Sequence, residues 1–465
     1  MDDNTTQNPL IQQIFSIPLG KNQYLVYAPL KKTAFIANPA LVNMVFDKAE
    51  NLSRSHQIPT AISHGRAIPE KEGGILNFLQ EIDFFEPEPE PVDDYLDVGV
   101  QYDSVILFLT NACNLRCTYC YASSGEYQKS EMPWEIAKAG IDYVMEEVIR
   151  NETTTMTLGF HGGGESILNW RILTRAVDYA HFLAEKKDIF LNVSGSTNGC
   201  CSEKALRYIL NNFTELSLSF DGLPSVQNMQ RPMKNMKDSF PMVERTLNEL
   251  DTAGFAYGIR MTVTNTSVSA LTDSISYICE NFNPRKIQVE PVFSVGRAKK
   301  NRSRISNQDL FIEQFQKASK IAGEHNIILY YSGAQLEALT NRFCLAACRS
   351  LVVTPDGDVT TCFEVFGKDH PLSNRFFVGA YAENGKFVFN EAKRNAHFEY
   401  TLEQISYCES CFCKWHCAGD CAIKTCPMGE GEAFQPTERC YVNQELTKFH
   451  ILEKIMENDG TIWLG

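Results

Sequence analysis

Apolar residues recur along this chain at two spacings. Short runs alternate or are wholly apolar, as strands require, and longer runs repeat every three or four residues, as amphipathic helices require. From about residue 103 to 292 the two patterns take turns. Strands are predicted at 105–109, 155–160, 190–195, 216–220, 256–263 and 286–291, with helices between them, for example at 133–149 and 242–253. Such alternation predicts an α/β fold of parallel β/α units joined by right-handed crossovers, with chemistry gathered at the C-terminal ends of the strands. Ahead of it lies a small α+β unit. Residues 15–19, 24–27 and 34–37 read as strands, and 39–46 and 74–85 as helices. The run Glu86-Pro87-Glu88-Pro89-Glu90-Pro91 then predicts a stiff, extended linker. Beyond about Lys300 the alternation fades.

Length and composition narrow the class. The 465 residues suit two or three domains, and 44% hydrophobic with 22% charged residues is ordinary for a globular protein. A formal net charge of -14 argues against a protein that grips nucleic-acid backbones. The first residues show no basic region followed by an apolar core, and no apolar run is long enough to span a bilayer. The expectation is a cytoplasmic protein with no membrane and no nucleic-acid partner. Sixteen cysteines in such a chain point to metal ligation rather than disulfides.

The first predicted barrel strand runs directly into Cys113-Asn114-Leu115-Arg116-Cys117-Thr118-Tyr119-Cys120. Three thiolates on a tight loop can hold three irons of a [4Fe–4S] cubane and leave the fourth open to a ligand. A zinc knuckle or inert core cysteines are the other readings. The spacing of Cys113, Cys117 and Cys120 resembles the CxxxCxxC signature of the radical S-adenosylmethionine (SAM) enzymes, and Tyr119 stands where that signature has an aromatic residue. The resemblance implies a partial (β/α)6 TIM-type barrel. It also implies that the amino and carboxylate groups of SAM chelate the open iron. One electron then yields a 5′-deoxyadenosyl radical that abstracts hydrogen from a substrate. The three cysteines are its expected catalytic ligands.

Further motifs fall at the ends of the following strands. Glycines in His161-Gly162-Gly163-Gly164-Glu165-Ser166 allow close backbone approach, and a carboxylate there can accept from an ammonium group. The segment resembles the family's GGE motif, which assigns Gly163, Gly164 and Glu165 to SAM. Ser166 replaces the usual proline, which makes a less rigid turn. Asn198 resembles the residue near the SAM ribose, or is an ordinary Asn-Gly turn. Ser219 and Arg231 resemble the serine and arginine that hold SAM, an arginine fork suiting a carboxylate. Asp221 is read as orienting the loop. Arg260 and Glu290 are polar residues at strand ends, which a buried ion pair explains as well as function does.

Ten of the sixteen cysteines lie between Cys344 and Cys440. The spacings Cys344–x12–Gly357–x4–Cys362 and Cys408–x2–Cys411–x5–Cys417–x3–Cys421, then Cys440, resemble the SPASM domain. That resemblance implies two auxiliary [4Fe–4S] clusters, the first on Cys344, Cys348, Cys362 and Cys421, the second on Cys408, Cys411, Cys417 and Cys440. If Cys348 does not bind, the first cluster keeps an open iron. Cys200, Cys201, Cys279, Cys413 and Cys426 are read as small buried residues.

The N-terminal unit resembles the winged-helix peptide-recognition element of ribosomal-peptide maturases, or is a simple cap on the barrel. The implied domains are 1–85 for this unit, 86–102 for the linker, 103–300 for the radical SAM core, 301–343 for a bridge and 344–465 for the SPASM domain. The implied function is an oxidoreductase-type peptide maturase. It acts on a ribosomally made precursor peptide, forms a thioether, carbon–carbon or similar crosslink, and draws electrons from a donor such as flavodoxin or ferredoxin. The anaerobic sulfatase maturases, which make formylglycine, are the alternative. They place an aspartate after the third cysteine of the first auxiliary cluster as a base, whereas here Phe363 follows Cys362 and Glu364 comes next. An iron–sulfur carrier or zinc scaffold without SAM chemistry is the non-enzymatic alternative.

Overall fold

The computed structural model describes residues 13–55, 70–88, 99–425 and 434–465; Cys426 and the end of the Glu-Pro run lie outside them. Two sheets organise the described residues. The smaller contains β1 (Phe15–Gly20), β2 (Gln23–Ala28) and β3 (Thr33–Ala37), all antiparallel. Lys21 and Asn22 join β1 to β2 with φ of 49° and 61°, the left-handed pair that matches the twist of a tight hairpin. Helices Pro39–Ser55 and Glu70–Glu81 follow. One face of this sheet buries Val26, Phe35 and Ala37 with Leu41, Val45, Leu79 and Phe84.

The larger sheet carries six parallel strands in sequence order: β4 (Ser104–Leu107), β5 (Thr155–Phe160), β6 (Phe190–Thr197), β7 (Glu215–Ser219), β8 (Tyr257–Val263) and β9 (Lys286–Pro291). Helices including Trp134–Arg150, Trp170–Lys187, Glu203–Asn212, Phe240–Thr252 and Leu271–Asn281 connect them. The row Val105, Leu107, Leu158, Val193, Leu218, Ile259 and Val289 is buried in one large apolar cluster with these helices. Each such side chain contributes roughly 1.5–3 kcal/mol on leaving water. Apart from Ile106, the opposite row is mostly small or polar, with Gly159, Ser194, Ser196, Ser217, Gly258 and Gln288 lining a cavity of about 390 Å3. This interior is hollow, unlike the packed centre of a closed eight-stranded barrel.

The sheet does not close on itself. β10 (Ile328–Tyr330) pairs parallel with β9, and β11 (Ser350–Val353) pairs parallel with β4. β12 (Asp358–Thr360), β13 (Phe377–Tyr381) and β14 (Phe387–Phe389) extend the β11 side antiparallel. The cysteine-rich region is thus continuous with the barrel sheet. The final strand, β15 (Ile462–Leu464), returns to pair with β3. Its Trp463 joins Leu25, Tyr27 and Ala34 with Ile451 and Ile455 of helix Glu438–Glu457, covering the other face of the small sheet.

Candidate cluster and cofactor site

β4 hands the chain to an irregular loop that carries Cys113, Cys117 and Cys120. Neighbours fix the loop through its backbone. Arg116 N donates to Pro232 O and Thr118 N to Gln230 O, both at 2.8 Å. Arg297 clamps the other side, Nε donating to Cys117 O at 2.8 Å and its backbone N to Cys120 O at 3.0 Å. Gly296 has φ +51°, and a Cβ there would stand 2.4 Å from Cys120 O, so only glycine lets the clamp approach.

The loop opens on a cavity of about 220 Å3. Every residue assigned from sequence to the first cluster or to SAM lines it: Cys113, Cys117, Tyr119, Cys120, Gly163, Gly164, Glu165, Asn198, Ser219 and Arg231. Gly164 sits so close that a Cβ would fall 2.1 Å from Ala112 O. Glu165 is buried. Thr197 Oγ1 donates to its Oε1 at 3.0 Å and Asn198 N to its Oε2 at 2.8 Å. Burial outweighs these donors and pushes the carboxyl up to about 7, and no cationic side chain acts on it. A buried carboxylate with no cation, beside a backbone cradle, fits the ammonium group of an amino-acid cofactor. Burial also raises the Cys113 and Cys117 thiols to about 12. Such thiols keep their protons until a metal displaces them, which fits a ligand set for iron. Ser166 is buried and opens a short helical turn, Ser166–Asn169.

Arg231 departs from its expected role. Its Nε and Nη2 donate to Asp221 at 2.9 and 3.0 Å, so the fork is filled by protein. Asp221 also accepts from Tyr119 Oη at 2.7 Å, Gln230 Nε2 at 2.7 Å and Thr262 N at 3.1 Å. The buried aspartate thus orients Tyr119 and Arg231 and leaves Nη1 for a ligand. Asn198 is partly committed too, with Nδ2 donating to Asn114 Oδ1 at 2.8 Å beside the Cys113 sulfur.

The C-terminal thiols form two neighbourhoods. Cys362 feels Cys421 and Cys344, and Cys408 feels Cys417, Cys411 and Cys440; burial raises both. Cys348 is fully buried in an apolar cluster with Ala347 and Phe398. Cys413 lies with its sulfur 3.4 Å from that of Cys411, closer to the second neighbourhood than its spacing suggested. Among the described residues no three His, Cys, Asp or Glu side chains converge on a single-ion site. A cubane takes one thiolate per iron and so spreads its ligands wider than one zinc ion does.

Sequence reasoning missed three participants in this region. Glu364 and Lys424, 3.8 Å apart, reach the cavity from the cysteine-rich region. The third is the Arg297 clamp. Glu364 stands two residues after Cys362, which was a usable signal; Arg297 had none. Glu290 is resolved as an ion pair. Burial would raise its carboxyl, but Arg439, whose Nη1 is 3.2 Å away, prevails and holds it near about 2. Arg439 also donates to Asp420 at 2.6 Å, and its pair with Glu290 fastens barrel to extension.

Residues 107–270 match the Radical SAM superfamily. That span contains the three-cysteine loop and the glycine-rich segment, so the resemblance read from the sequence is matched there. It is 29% identical over 174 residues to an uncharacterised protein of Methanocaldococcus jannaschii, covering 37% of this chain and 57% of that one. It is 25% identical over 275 residues to the sporulation killing factor maturation protein SkfB of Bacillus subtilis, covering 58% and 61%. It is 22% identical over 326 residues to the serine-type anaerobic sulfatase-maturating enzyme of Klebsiella aerogenes, covering 67% and 77%. The chain spans only 57%, 61% and 54% of three of the curated relatives it matches. Among solved structures, native anSMEcpe with bound AdoMet superposes with a TM-score of 0.60 at 18% identity, covering 77% of this chain and 99% of that one. The barrel fold with its extension is thereby shown. No helix among the described residues is long and apolar enough to cross a membrane.

Proposed function

We propose that this chain is a radical SAM peptide-modifying enzyme that abstracts hydrogen from a residue of a ribosomally made precursor peptide and forms a thioether, carbon–carbon or similar crosslink. The observation that carries the reading is the one cavity uniting three thiols, a glycine cradle and a buried carboxylate without a cationic partner. A [4Fe–4S] cluster with an open iron would supply one-electron reducing power toward SAM here. Cys113, Cys117 and Cys120 hold that cluster. Gly163 and Gly164 admit the SAM backbone, Glu165 accepts from its amino group, and Ser219 with Nη1 of Arg231 faces its carboxylate. Cys344, Cys362 and Cys421 hold one auxiliary cluster, with Cys348 as its fourth ligand or its corner open. Cys408, Cys411, Cys417 and Cys440 hold the other. Flavodoxin or ferredoxin in the cytoplasm is the matching electron source, and residues 1–85 are the matching peptide-binding unit. Support for a peptide substrate comes from relatives named as maturation proteins, SkfB among them.

Formylglycine formation is the second reading. Glu364 lines the cofactor cavity, so a carboxylate is in place despite the missing aspartate. One preparation tests the whole. Anaerobic reconstitution should load about twelve irons, and dithionite with SAM should release 5′-deoxyadenosine. Replacing all three loop cysteines by Ala should remove about four irons and end cleavage. Cleavage that persists in that variant refutes the proposal, and its absence from the intact protein leaves an iron–sulfur carrier.

A further inference from the structure

Arg260 leaves β8 with its side chain in the mouth of the barrel, on the wall of the cofactor cavity. Among the described residues it makes no side-chain hydrogen bond and no ion pair. The nearby acids are already engaged: Glu290 pairs with Arg439, and Glu364 lies beside Lys424. His161, at the end of β5, lines the same cavity and feels the Arg260 charge. Its Nδ1 is buried and has no hydrogen-bond partner. The ring is held between Phe108 and Phe363, at centroid distances of 6.3 and 5.3 Å. Burial and the Arg260 charge keep the imidazole neutral, lowering it to about 3. His161 lies where the cofactor cavity meets the hollow interior, lining both.

A buried Nδ1 without a partner is the unprotonated ring nitrogen, which leaves the N–H on Nε2, and that donor needs an acceptor. A guanidinium in the same wall without an acid adds a second open requirement. The two are met together by an anion with a planar pair of acceptor oxygens, since arginine presents parallel donors in that geometry. A neutral imidazole supplies a further N–H without adding charge.

We propose that Arg260 and His161 form a carboxylate-recognition site in the barrel mouth, and that the carboxylate belongs to the substrate, as a chain terminus or an Asp or Glu side chain beside the reacting residue. This rests on the radical SAM reading and extends it to a substrate class. The polar interior beneath, with Ser194, Ser196, Ser217 and Gln288, accommodates the rest of that residue. The same chemistry exists in the carboxylate of SAM. Ser219 and Nη1 of Arg231 remain for that group, which leaves Arg260 to the substrate.

The test is calorimetric titration of cluster-loaded protein, saturated with SAM, with N-acetyl-L-glutamate and with its diamide. The carboxylate should bind at least about tenfold more tightly than the diamide, the worth of one charge-assisted contact. Arg260→Met should abolish that preference, and His161→Phe should reduce it. Arg260→Lys keeps the cation without the fork; it should retain part of the preference, which guards against a variant that merely misfolds. No preference in the intact protein, or one undiminished in Arg260→Met, overturns the site. Weakening of SAM itself beyond about threefold in Arg260→Met assigns the carboxylate to SAM and overturns the substrate assignment. 5′-Deoxyadenosine release from the same preparation separates the outcomes. Release without carboxylate preference refutes this site alone, whereas no release refutes the radical SAM reading beneath it.

Discussion

Glu165 shows how little a residue's identity says until its surroundings are known. Its motif marks it as an acceptor, but burial without a cation decides when it is charged. At pH values below about 7 the carboxyl holds a proton, and the proposed contact to the amino group of SAM loses its acceptor. SAM affinity should therefore be flat above about pH 7 and fall toward tenfold per unit below it. Glu165→Gln should bind more weakly at pH 8 and lose much of that slope. Equilibrium binding across pH 5.5–8 checks this, and an unchanged slope in the variant would remove Glu165 from the amino-group site. Arg231 is the counter-example. Its resemblance to the family's arginine marked it as a carboxylate fork, and Asp221 occupies that fork. A strand-end Asp ten residues ahead is visible in the sequence, but the bend that folds helix Pro224–Gln230 back onto it is not.

The cysteine loop depends on elements far away in the chain. Its three cysteines span eight residues, and the clamp that holds the loop comes from helix Gly296–Lys300 after β9. Removing the Arg297 side chain strips donors from the carbonyls of Cys117 and Ser124 and from Glu126. Arg297→Met should leave the fold intact and release loop-bound iron to a chelator several-fold faster, followed by visible absorbance. Equal release rates would mean that the loop needs no clamp. The six barrel strands and their helices were legible because long amphipathic repeats and apolar runs bury one face each. β10 to β14 were not, since strands of three to five residues carry too few alternations to stand out, and they form here by pairing with an existing sheet edge.

Across the molecule, the extension returns to the chain's beginning. Trp463 stacks on Tyr27 at a centroid distance of 6.3 Å and closes the small sheet from the far end of the sequence. Trp463→Ala should cost about 3–5 kcal/mol of stability for this sheet, as for other large buried aromatics. Loss of protection in β2 and β3 by hydrogen exchange, with the barrel strands unaffected, would locate the effect; uniform loss would show one cooperative unit instead. The strands within 15–37 read as part of a separate small α+β unit, yet their sheet is completed by β15. Local periodicity prescribed the barrel strands and their helices, because each depends on neighbours a few residues apart. Which polar side chains are spent on one another and which stay open required the folded chain. Asp221 fills Arg231, Arg439 fills Glu290, and Arg260 and His161 remain, since pairing of charges depends on distances that close only when remote strands meet.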